Sequence, residues 1–87
     1  MNLGNYRQLC ERDKYILKCI QSKSCSVREI ALNHKTLLPE NIYQAVTKLV
    51  ALNYVEKIGS NPKLIQITPD GLEMLTYIEI VEADNDN

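Results

Sequence analysis

Long apolar runs are missing from this chain of 87 residues. The longest uninterrupted apolar stretch is too short to cross a membrane, and the opening MNLGNYRQLCERDK has no apolar centre of the kind a secretory leader needs. The expected address is therefore cytoplasmic, or the nucleoid. Histidine occurs once, as His34, and Cys10, Cys19 and Cys25 never form a C-x-x-C pair. A tetrahedral metal site needs about four ligands at reinforcing spacings, so no metal is expected. The thiols read as free, buried or half-buried groups. A catalytic pair of Cys25 and His34 has no local support. There is no glycine-rich phosphate loop and no nucleophile elbow. Neither an enzyme nor a cofactor is expected.

Basic residues are absent from the last quarter of the chain. Residues 64–87 carry six acids and no base, for a charge of −6. Residues 1–63 carry ten basic and five acidic side chains, leaving +5. The overall charge of −1 therefore conceals a basic body and an acidic end, an arrangement compatible with a polyanion on one face. Residues 83–87 read as an acidic, disordered tail and residues 1–82 as a single domain.

What is present is mostly helical punctuation. Ile16, Leu17 and Ile20 mark a helix over 12–22, with Leu9 and Tyr6 as a backward extension. Ser26-Val27-Arg28-Glu29 is a capping box that opens a short helix burying Val27, Ile30 and Ala31. Leu37 or Leu38 then plugs the core. Pro39 suits the first turn of a third helix, whose buried stripe is Ile42, Ala45, Val46, Leu49 and Leu52. Asn53 falls where a left-handed cap belongs. Val55–Ile58 and Leu64–Thr68 form a hairpin around Gly59 and Pro62. Thr68-Pro69-Asp70 restarts a helix carrying Leu72, Leu75, Ile78 and Val81, which frays near Ala83. The fold class is mainly α with a small β-hairpin.

That element order resembles a winged helix-turn-helix domain, over about residues 12–80. RDKYILKCI resembles its opening helix and SVREIA the first helix of its reading pair. ENIYQAVTKLVALNYVEKI is similar to the recognition helix and first wing strand of MarR-like regulators, matched at Ile42, Val46, Leu49, Asn53, Tyr54 and Val55. LIQITPDGLEML resembles the second wing strand and following helix. Asn53 replaces the usual glycine, and the connection from Ile30 to Ile42 looks one residue longer than in that family. The chain's size is also similar to that of small fimbrial phase-variation, phage or plasmid regulators.

The resemblance implies sequence-specific binding of double-stranded DNA by a small transcriptional regulator. Its recognition helix is about 39–52 and its wing 55–68. On that helix Gln44 can pair with adenine, Asn41, Tyr43 and Thr47 can donate or accept, and Lys48 can reach guanine or phosphate. Ser60, Asn61 and Lys63 at the wing tip are expected along the backbone or the minor groove, and Arg28 and Lys35 at phosphates. The bland alternative is that polar residues opposite an apolar stripe simply face solvent. Glu40 speaks against phosphate at the same face and favours the rival function, a winged module that contacts protein. The last helix has more apolar residues than one face needs, so Leu72, Leu75, Ile78 and Val81 are expected at a homodimer contact.

Overall fold

The computed structural model describes residues 3–34, 37–60 and 62–85. Helix α1 (Leu3–Gln8) is followed by α2 (Glu11–Cys19), α3 (Val27–Leu32) and α4 (Pro39–Ala51). Strands β1 (Val55–Ile58) and β2 (Leu64–Ile67) pair antiparallel, with Val55 opposite Ile67 and Lys57 opposite Ile65. Helix α5 (Pro69–Asn85) closes the chain. This is the winged helix-turn-helix architecture that the sequence resembles.

Two caps appear as expected. The Ser26 hydroxyl accepts from the Glu29 N–H and the Glu29 carboxylate from the Ser26 N–H, both at 3.1 Å. Pro39 occupies the first turn of α4. A third cap was not expected. Asp13 accepts from the Cys10 N–H at 3.1 Å and starts α2 there, so α1 is a separate helix rather than a backward extension. The Tyr6 ring of α1 meets Tyr77 of α5 edge-on at 5.3 Å.

The core gathers one face of each longer helix: Ile16, Leu17 and Ile20; Ile42, Ala45, Val46 and Leu49; Met74, Leu75 and Ile78. Leu37 packs against it while Leu38 is exposed. Cys25 adds a bridge to β2, its N–H and carbonyl pairing with those of Ile65 at 3.1 and 2.7 Å.

The buried stripe of α5 uses Met74 with Leu75 and Ile78, and leaves Leu72 exposed. Residues 83–85, expected in a disordered tail, continue the helix. Glu82 is held by Lys14 at 3.5 Å and Lys18 at 3.3 Å, which offsets the unfavourable carboxylate near a helix C-terminus. Residues 86 and 87 lie outside the described residues.

The wing is fastened at its base. Asn53 has φ 65°, the left-handed conformation asparagine tolerates. The Tyr54 N–H then donates to the Leu49 carbonyl at 2.9 Å, and the Thr68 hydroxyl to the Asn53 carbonyl at 2.6 Å. The Gly71 N–H donates to the Thr68 hydroxyl oxygen at 3.0 Å, and Asn53 Nδ2 to Asp70 at 2.9 Å. A Cβ at Gly71 would stand 2.1 Å from the Tyr54 carbonyl oxygen and 2.7 Å from the Ile67 side chain. Helix propensity alone favours Gly71→Ala by about 1 kcal/mol, but an overpacked contact costs about 1–3 kcal/mol. With the clash against backbone, the clash wins. Gly71→Ala should lower the melting temperature by several degrees, measured by circular dichroism; an equal or higher value would contradict this packing.

Candidate nucleic-acid interface

Helix α4 turns Ile42, Ala45, Val46 and Leu49 inward, so at 3.6 residues per turn its outer side carries Glu40, Gln44, Thr47 and Ala51, with Tyr43 at one flank. Glu40, Tyr43, Gln44 and Thr47 are exposed, and Asn41 is half-buried. The Thr47 hydroxyl donates to the Tyr43 carbonyl at 3.0 Å, which uses its one donor.

Beside this face, α3, α4 and the wing enclose a concavity of about 410 Å³. Val27, Val46 and Ile65 form its apolar floor, and Arg28, Tyr43, Lys57 and Lys63 its rim. Arg28 comes from α3, Lys57 from β1 and Lys63 from the end of the wing turn, and all three are exposed. None of them forms an ion pair with a described carboxylate. Lys14, Lys18 and Lys23, in contrast, are paired with Glu82 or Glu29. Ser60 is exposed in the wing turn. Lys35 and Asn61 lie outside the described residues.

Lys57 was not among the expected contacts. Its signal was available in the register: Lys57 shares the Val55 face of β1, opposite Ile65, so it stands at the rim of the core beside α4.

Lys48 departs from expectation in the other direction. Its ammonium lies 2.8 Å from Asp13 Oδ2 and also donates to the Gln8 carbonyl oxygen. It therefore points to the start of α2 rather than away from the core. The Asp13 side chain is fully buried while that of Lys48 is 34 % exposed. Arg12 Nε stands 3.6 Å from the other carboxylate oxygen, too far for a hydrogen bond. Removing one partner of a buried pair costs about 3–5 kcal/mol, with the lower end apt for a half-open lysine. A good base contact contributes about 1–3 kcal/mol, which does not exceed that cost.

A second, more apolar groove of about 530 Å³ adjoins the first, between α3 and the start of α4. Leu32 and Tyr43 line it and are 74 % and 58 % exposed, and Leu38 nearby is 58 % exposed. On α5, Leu75 and Ile78, expected at a dimer contact, are enclosed in the chain's own core. Among its described residues Leu72 and Ile80 are the large exposed apolar side chains, and Val81 is half-buried. No described helix is long and apolar enough to cross a membrane. Among the described residues no group of three or more His, Cys, Asp or Glu side chains is placed to hold a metal ion.

No protein-family model matches the chain, and no curated protein matches it significantly. Solved structures do. The transcriptional regulator BldR from Sulfolobus solfataricus is 29% identical, with a TM-score of 0.84 over 98% of this chain. This chain spans 63% of that one. A PadR family transcription regulator from hypervirulent Clostridium difficile is 19% identical, with a TM-score of 0.73 over 88% of this chain and 97% of that one. A protein from Archaeoglobus fulgidus is 18% identical, with a TM-score of 0.77 over 91% and 92%. The last two, at such low identity, share the fold alone.

Burial pushes the Asp13 pKa up, but the bonds from Lys48 and the Cys10 N–H outweigh it and hold the carboxyl below its ordinary 3.8. A depressed folded pKa stabilises fully above the unfolded value, and the contribution is lost as pH falls through the folded one. Asp13→Ala should therefore cost about 3 kcal/mol at neutral pH. The gap to the parent should narrow below pH 3.8. Asp13→Ala combined with Lys48→Met should recover much of the loss. Urea unfolding checks this, and a single variant as stable as the parent at neutral pH would refute it.

Proposed function

We propose that this chain binds double-stranded DNA in a sequence-specific manner and acts as a small transcription regulator, without catalysis. The carrying observation is the convergence of Arg28, Lys57 and Lys63, from three elements, beside the exposed side of α4. Lysine and arginine held apart from carboxylates are what a phosphate backbone recruits, and such contacts supply most of the binding energy. The regulator names of the structurally similar proteins support the reading. The segment from Ile42 to Val55 supports a MarR-like arrangement within that class.

A second reading is a protein-contact module. Leu32, Leu38 and Tyr43, exposed around the apolar groove, favour it, because exposed apolar patches mark partner sites. Salt separates the two. Fluorescence anisotropy on random duplex should show binding that weakens steeply as salt rises. Lys57→Ala and Lys63→Ala should each lower the salt slope by about one unit, whereas Lys18→Ala, whose ammonium serves Glu82, should leave it unchanged. A folded protein with no duplex binding at low salt would leave the protein-contact reading.

Pairing of two copies through α5 belongs to the same proposal. Leu72, Ile80 and Val81 support it, since they remain available once Leu75 and Ile78 are taken by the core. A two-fold pair would set two recognition helices about one DNA turn apart. Light scattering at micromolar concentration should give twice the 10.0 kDa chain mass; the single chain mass alone would refute the pair.

A further inference from the structure

Resting on the DNA reading above, we infer that base preference in this chain is set by Gln44 and Glu40, not by a cation. Helix α4 reads an adenine through Gln44 and a cytosine through Glu40, and offers guanine no lysine or arginine.

One side chain is withdrawn from the outer side of α4. Lys48 is the only basic residue among Pro39–Ala51, and Glu40 the only acidic one. At 100° per residue Lys48 falls on the flank of α4 that meets α2. There its ammonium is held by Asp13 and the Gln8 carbonyl oxygen. Reaching a base edge would take the lysine from a fully buried carboxylate and leave it the Cys10 N–H as its one hydrogen bond, a loss no smaller than the gain from a good base contact. The commonest specific contact, a cation to guanine O6 and N7, is thereby removed from the helix.

What remains outward decides the chemistry. Gln44 forms no side-chain hydrogen bond with a described residue, so its amide can both accept from adenine N6 and donate to N7. Glu40 forms no ion pair with a described cation. A carboxylate accepts only, and the major-groove group that suits it is the cytosine N4 amine. Glu40 and Gln44 are four residues apart on one face, about 6 Å along the axis, or about two base-pair steps. Thr47 is exposed on the same side, but its hydroxyl donor is already used on the Tyr43 carbonyl. A carboxylate in the groove repels phosphate. It is tolerable because Arg28, Lys57 and Lys63 neutralise the backbone from a separate place.

Selection from a randomised duplex pool, followed by competition with single base-pair changes, tests this. The selected site should hold an adenine and, about two pairs away, a cytosine. Gln44→Ala should cut the ratio of preferred-site to random affinity about tenfold, with the loss confined to the adenine position. Glu40→Gln should erase the cytosine preference and tighten binding to random duplex at low salt. Lys48→Ala alone can unfold the protein, so the pair is replaced together as Asp13→Asn with Lys48→Met. That variant, checked for helix content, should select the same two bases. A guanine preference in the parent that disappears in the double variant would overturn the inference. Salt-sensitive binding with no base preference would overturn it too, while leaving the DNA reading in place. Absence of any duplex binding would overturn both.

Discussion

Asp13 and Lys48 carry the constraint on which the rest of the molecule depends. One buried carboxylate performs two tasks. It accepts from the Cys10 N–H, which starts α2, and from the Lys48 ammonium, which holds α4 against α2. The two lie thirty-five positions apart in the chain, so the pair joins segments that share no local structure. A buried ion pair is weak support for net stability but a strong penalty for wrong arrangements, because each misplaced partner strands a charge. Here the arrangement it selects is the angle at which α4 presents its outer face.

The wing is set by a different device. Asn53, Tyr54, Thr68 and Gly71 form a knot of backbone and hydroxyl hydrogen bonds where α4 ends, β1 begins and α5 starts. The knot fixes the base of the hairpin, and Cys25 pairs with Ile65 farther out. Lys57 and Lys63 therefore stand beside α4 at a set distance rather than at the end of a loose ribbon. Together the ion pair and the knot place α4 and the cationic rim relative to one another.

Charge is also sorted by the fold. Lys14 and Lys18 spend their charge on Glu82 at the junction of α2 and α5, and Lys23 is near Glu29. The cations left beside α4 are few, and they are concentrated. A net charge of −1 thus describes the molecule poorly as a partner for a polyanion, since a local field depends on where charges are unpaired.

Much of this was legible in the sequence because it is local. The Ser26–Glu29 box, Pro39, Asn53 and the Thr68-Pro69 start are signals within three or four residues. The helical stripe of α4 and the alternation of the hairpin depend only on backbone period. The likeness to a winged helix-turn-helix rests on that local order. Contacts between distant segments were not legible. Nothing near Lys48 in the chain announces Asp13, so a lysine on a polar-looking face reads as outward. Leu75 and Ile78 look available to a second chain, because one helix alone does not reveal how much of its apolar surface its own domain covers. Periodicity determined which faces of the helices are apolar. Only the packing of α2 against α4 and α5 decided which polar and apolar side chains remain free to meet a partner, because burial and charge pairing belong to three-dimensional neighbours.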